Sequence, residues 1–268
     1  MSDNRQRRSG AESSRKLLNL MLAFNERNHT RSAADLAAAL DMPISSVYRF
    51  LSVLKDTGLV EEAGHGEYRL SWLFVGLARA AGAAADDLER LARPVLEEVA
   101  RESGETTLLI KRVGWSATCV DRVESVHPVR LQFDPGQPMS LHLGSAARVL
   151  LASMPAAERE AYLDTLPDLG KLERDQIEAD VDTVARTGWV ESFGEVDEGI
   201  WGTAAAIHDG ETVVAALGLA GPLYRLRQDD RERIIELVNN GARTLSDTLR
   251  RQAEVPGGPP SAKRGPSA

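Results

Sequence analysis

The chain has 268 residues, 43% of them hydrophobic, which is enough for two modest domains with separate cores. Its one cysteine, Cys119, excludes an internal disulfide framework and any Cys-x-x-Cys metal signature. The net charge of −8 argues against nucleic acid when taken as a sum, but residues 1–72 carry ten Lys and Arg against nine Asp and Glu, so the acidity belongs to the remainder. That asymmetry predicts two domains with different partners.

Residues 1–13 hold Arg5, Arg7 and Arg8 and lack the apolar core of a secretory signal. They are expected to be a disordered tail, as are residues 253–268, rich in Pro, Gly and charge. Charges interrupt the apolar runs before any could span a bilayer, so a cytoplasmic protein with no membrane partner is expected.

The elements begin with a helix predicted from Ser13 to about Arg27, with Leu17, Leu20, Met21 and Phe24 on one face. Ser32 is placed to cap a second helix bearing Ala33, Leu36, Ala37 and Leu40. After Asp41-Met42-Pro43, a third helix repeats Val47, Phe50, Leu51 and Leu54 at the same spacing and ends at Gly58. Two short strands follow, 59–63 and 67–70, joined through Gly64-His65-Gly66, whose glycines permit a tight hairpin. Three helices and a hairpin make residues 14–71 a winged helix-turn-helix. Residues 72–86 read as a linking helix, and 87–252 as a second domain.

That second domain opens with a helix over 87–102. Strand-like segments follow at 106–113, 117–123 and 129–133, then helices at 145–153, 156–165 and 172–187. Further strands at 189–193, 203–207 and 212–219 precede a final helix over 229–252. The order predicts an α+β domain with a largely antiparallel sheet.

With Val47 and Leu51 facing the core, Ser45, Arg49 and Ser52 point outward, and Ser46 and Tyr48 flank them. A helix in the major groove reads bases mainly with its N-terminal residues, and arginine bonds both acceptors on a guanine edge. Ser45, Ser46, Tyr48, Arg49 and Ser52 are therefore candidate DNA contacts. Arg31 and Lys55 are candidate phosphate contacts, and His65 lies at the wing tip. Any surface helix shows Ser and Arg on its wet face; the preceding helix and the following hairpin favour DNA.

These residues resemble the IclR family of bacterial transcriptional regulators. The family's first domain reads like "LAxxLxLPxSTVxRLLxTLxxxGLVExxxxxxYRLG", and here residues 36–71 are "LAAALDMPISSVYRFLSVLKDTGLVEEAGHGEYRLS". Downstream, "GETTLLI", "VDRVES", "SLHLGSAARVLLA", "GWVESFGEVDEGIWGTAAAI" and "VVAALGLAGPLYRL" follow in the family's order. The resemblance implies a DNA-binding homodimer or homotetramer with a GAF-like effector-binding domain, in which a small metabolite, often an organic or aromatic acid, controls a nearby operon. It implies no cofactor. Some members repress and others activate.

By the same resemblance, Ser145 and Ala146 hold the effector. Gly144 and Ser145 precede a helix, whose free N–H groups and dipole favour a carboxylate, although Ser145 could equally be a simple N-cap. The opposite wall falls at Ser192, Gly202, Gly218 and Ala220, mostly small residues that suggest a roomy pocket for a larger acid. Where the family has Thr-Ala-x-Gly-Lys, this chain has Gly144-Ser145-Ala146-Ala147-Arg148, so loop shape and charge are expected to differ. Trp115, Trp189 and Trp201 could stack on a ring or serve the core.

An enzyme is the competing class. His142 lies near Ser145 in sequence, but there is no Gly-x-Ser-x-Gly elbow, no phosphate-binding Gly-x-x-x-x-Gly-Lys loop and no His-Glu-x-x-His. The five histidines lack metal-site spacing. A regulator is expected, repressor before activator.

Overall fold

The computed structural model describes residues 2–25, 28–83, 88–167 and 169–254. Its contacts divide the chain into two units, 1–85 and 86–268.

The first unit holds α1 (Ser2–Leu22), β1 (Thr30–Ser32), α2 (Ala33–Ala39), α3 (Ile44–Asp56), β2 (Val60–Gly64), β3 (Glu67–Leu70) and α4 (Leu73–Ala83). Its core joins Leu20 and Phe24 to Leu36, Val47, Phe50, Leu51, Leu54 and Val60. Ser32 caps α2 reciprocally: its Oγ accepts from Asp35 N at 3.1 Å, and Asp35 Oδ2 accepts from Ser32 N at 3.1 Å. Gly58, at φ 73°, ends α3 and turns the chain into β2.

Two features here depart from the sequence expectation. The first helix begins at Ser2, so the expected tail over 1–13 is helical from its second residue, and the helix stops at Leu22. Polarity bars that segment from a core but not from a helix, because Arg, Gln, Glu and Lys are good helix formers. Glu12 and Lys16 also pair across one turn at 2.8 Å. The second departure is β1, which pairs antiparallel with β3 and makes the order β1-β3-β2. Three residues carry too little periodicity to signal a strand.

The second unit holds α5 (Leu88–Ser103), β4 (Thr106–Val113), β5 (Ser116–Val123), β6 (Pro138–Ser140), α6 (Ser145–Ala152), α7 (Ala156–Leu163) and α8 (Lys171–Thr187). It continues with β7 (Trp189–Phe193), β8 (Ile200–Asp209), β9 (Thr212–Pro222), a 3-10 turn and α9 (Gln228–Glu254). Residues 255–268, the greater part of the expected C-terminal tail, lie outside the described residues. The six strands form one antiparallel sheet in the order β6-β5-β4-β9-β8-β7.

Alternate residues serve opposite faces of this sheet. Leu108, Ile110, Ala204 and Ala216 meet α6 and α8 residues such as Leu150 and Ile177. Leu109, Ala205, Ile207 and Leu217 meet α5 and α9 residues such as Leu96 and Val238. Burial on both faces explains the nearly unbroken apolar runs of β8 and β9.

The strand expected over 129–133 is absent, and the edge is made by β6 instead. In that segment the Leu131 carbonyl accepts from Thr106 Oγ1 at 3.2 Å and the Val129 carbonyl from Arg225 Nη1 at 2.8 Å. Pro128 and Pro135 frame the segment, and a ladder is replaced by side-chain donors.

Candidate functional site

In the first unit, α3 buries Val47, Phe50, Leu51 and Leu54 and exposes Ser45, Tyr48, Arg49, Ser52 and Lys55, with Ser46 half-buried. The two faces fall as the helical period requires. The Arg49 guanidinium lies over the Phe50 ring, 5.2 Å from its centroid, so it starts the face partly ordered rather than loose in solvent. His65 is exposed at the wing tip with φ 52°, between Gly64 and Gly66 at 94° and 79°.

The two expected phosphate contacts are differently placed. Lys55 is ion-paired with Glu62 of β2, and that hydrogen bond raises the lysine pKa above its ordinary value. Arg31 is half-buried and donates from Nη1 to the Ala23 carbonyl at 3.2 Å. Both side chains hold elements of this unit together.

In the second unit, the expected ligand residues do come together. Ser192, Gly202 and Ala220 form a row across β7, β8 and β9, and Gly218 pairs with Ala204 two residues along. The start of α6 lies over them. Ser145 N donates to Ser192 Oγ at 3.0 Å. A Cβ on Gly202 would stand 3.1 Å from Ser145 Oγ, and one on Gly218 would stand 3.2 Å from the Ala146 Cβ. The expected roomy pocket is therefore not there: the small residues let a helix approach a sheet closely. Small side chains at a helix–sheet contact carry the same sequence signal whether they leave space or fill it.

A cleft of about 1050 Å³ lies elsewhere, between β7 and α9, with Trp189, Glu191, Arg231, Ile235, Arg243 and Ser246 on its walls. Trp201 packs in the core on that face and donates from Nε1 to Glu191 Oε1 at 2.8 Å. Trp115 stands edge-on to Tyr162, with centroids 6.1 Å apart.

What the sequence reading missed is a buried ionic cluster behind α6. Arg148, 4% exposed, donates from Nε to the His142 carbonyl at 2.7 Å and from Nη2 to Glu195 Oε2 at 3.1 Å, and its Nη1 pairs with Asp180. A buried guanidinium is tolerable only with such partners. One signal was available: an arginine inside the apolar run "AARVLLA" demands acceptors from somewhere.

Tyr162 Oη accepts from Leu141 N at 3.0 Å and lies 2.8 Å from His142 Nδ1. Burial, and then Arg148, lower the His142 pKa, which favours a neutral ring accepting the tyrosine proton. His142 thus bonds to Tyr162 and not to Ser145, so these sequence neighbours make no nucleophile–base pair. Cys119 is fully buried, and burial pushes its thiol to about 12, far from the thiolate a nucleophile needs. Among the described residues no cluster of three metal-ligating side chains occurs, and no helix is long and apolar enough to cross a membrane.

A helix-turn-helix unit with a wing is the architecture of DNA-binding regulators, and here it is joined in one chain to an α+β unit. The IclR helix-turn-helix domain matches residues 13–64, and the bacterial transcriptional regulator IclR C-terminal domain matches residues 81–247. The chain belongs to the IclR family of transcriptional regulators.

Relatives span nearly its full length. It is 29% identical over 238 residues to the HTH-type transcriptional regulator KipR of Bacillus subtilis, covering 86% of this chain and 92% of that one. To the HTH-type transcriptional repressor AllR of Escherichia coli K12 it is 27% identical over 252 residues, covering 90% and 91%. It shares the fold of an IclR homologue from Microbacterium hydrocarbonoxydans crystallised with 4-hydroxybenzoate, with a TM-score of 0.69, 22% identity and coverage of 89% and 99%.

Proposed function

We propose that the chain is a ligand-responsive repressor of a nearby catabolic operon, working in the cytoplasm as a homodimer or dimer of dimers. The outward face of α3 carries this reading. Ser45, Ser46, Tyr48, Arg49 and Ser52 present donors over a rigid apolar base, and His65 extends the surface at the wing. Arg31 and Lys55 would reach phosphates only by giving up present partners. Exposed Trp72, Leu73 and Leu77 on and beside α4 offer an apolar patch for a second copy. The repressor relative AllR supports the sign of regulation.

The effector in this reading is a small organic acid, aromatic by analogy with the 4-hydroxybenzoate-bound homologue. Its carboxylate sits at the start of α6 with Ser145 and Ala146, against Ser192, Gly202, Gly218 and Ala220. Because the site is closely packed, binding must open it. A gel-shift titration of the chain on the DNA upstream of its own gene, with and without aromatic and aliphatic acids, tests both parts. Sequence-specific binding released by an acid is expected. Binding no tighter than to random DNA, or indifferent to every acid, would remove the corresponding part.

A further inference from the structure

The loop between β7 and β8 lies on the start of α6. Gly194 and Gly199 bound it with φ of 67° and 79°, and Gly194 N donates across its neck to the Ile200 carbonyl at 2.7 Å. From this loop Glu195 reaches back to α6. One oxygen, Oε2, accepts from Gly144 N at 3.0 Å and from Arg148 Nη2 at 3.1 Å. A Cβ on Gly144 would stand 3.2 Å from Val196 Cγ2, so glycine there lets the loop approach.

The helix start, whose N–H groups and dipole attract anions, is therefore holding a carboxylate of the chain itself. Ser145 is 6% exposed, yet its hydroxyl has no hydrogen-bond partner among the described residues, and it faces Gly202. Arg148 retains Asp180 whatever Glu195 does, so exchanging Glu195 for another carboxylate leaves the buried charge balance unchanged.

We propose that Glu195 is a built-in stand-in for the ligand's carboxylate, and that an acid binds by displacing it. The incoming carboxylate takes over Gly144 N–H and Arg148 Nη2 and gains the idle Ser145 hydroxyl. The loop swings out about Gly194 and Gly199. Glu195 cannot stay, because two carboxylates on one amide repel each other. A neutral ligand is rejected, since displacing Glu195 would leave Gly144 N–H and Arg148 Nη2 without a charged acceptor. The inference rests on the reading that the effector sits at the start of α6.

Chemical rescue of the full chain tests it. Glu195→Ala empties the carboxylate position. In sodium chloride this variant is expected to melt several degrees below wild type, and sodium acetate at equal ionic strength is expected to restore much of the loss. Acetamide restores none, and wild type responds to acetate only weakly. Equal acetate responses in variant and wild type, or none in either, overturn the proposal. Should Glu195→Ala not fold, Glu195→Gln keeps an acceptor for Gly144 N–H without the charge, and calorimetry is expected to show benzoate binding it about tenfold more tightly than wild type; equal affinity overturns the proposal. Neither readout involves DNA. Rescue without any acid effect on operator binding removes the effector reading and leaves the exchange standing, and acid-released operator binding without rescue does the reverse.

Discussion

The ammonium of Lys55 on α3 is ion-paired with the carboxylate of Glu62 on β2, which ties the reading helix to the strand that carries the wing. Both side chains are largely exposed, so the pair adds little to stability, but it occupies one of the cations proposed to meet phosphates. Glu62→Gln is expected to tighten operator binding and to steepen its salt dependence by about 0.9 in log K against log salt, the signature of one added phosphate contact. Lys55→Ala alone should leave that slope unchanged. A fall of about one unit in Lys55→Ala would show that the pair opens on DNA.

Arg49 is the side chain on the α3 face suited to a bidentate base contact. Arg49→Ala is expected to cost about 1–3 kcal/mol of operator affinity and to relax preference at one base pair, read by titrating single-substituted operators. A loss that is uniform across operators would assign Arg49 to a phosphate instead.

Replacing Ser145 by a large residue would collide with Gly202, so removing its hydroxyl is the cleaner change. Because that hydroxyl has no partner among the described residues, Ser145→Ala should shift unfolding free energy by no more than about 0.5 kcal/mol. Acid binding should weaken by about 0.5–1.5 kcal/mol in calorimetry. A large stability loss with unchanged acid binding would make Ser145 a packing residue.

His142 carries a pH dependence whose sign follows from burial. Its folded pKa is lowered from the ordinary 6.5, so the unfolded chain takes up the proton more readily. The stability this ring contributes is complete above pH 6.5 and is lost as pH falls through that value toward the lower folded one. Urea unfolding at a series of pH values from 7.5 downward should show the decline, and His142→Gln should flatten it. An unchanged slope in the variant would place the titrating group elsewhere.

Where local periodicity decides the outcome, the sequence was a good guide. The apolar spacing of Val47, Phe50, Leu51 and Leu54 sets the buried face of α3, and by subtraction its exposed one. β4 and β7 occupy the residues expected of them, 106–113 and 189–193. The N-terminal segment departs from expectation because a polar composition is compatible with a helix as well as with disorder. Residues 129–133 misled because their carbonyls are claimed by Thr106 and Arg225, partners their own pattern cannot reveal.

The sequence by itself determined the winged helix-turn-helix, the α+β character of the second unit and the family, because these rest on spacings a few residues long and on motifs in a given order. Only the tertiary structure decided the state of the α6 start. Arg148 meets Asp180 and Glu195 from 32 and 47 residues away, and Gly202 and Gly218 become contact points only once three strands and a helix are stacked. A glycine shows in sequence that a Cβ is missing, and only the packed neighbours show that the space it leaves is already filled.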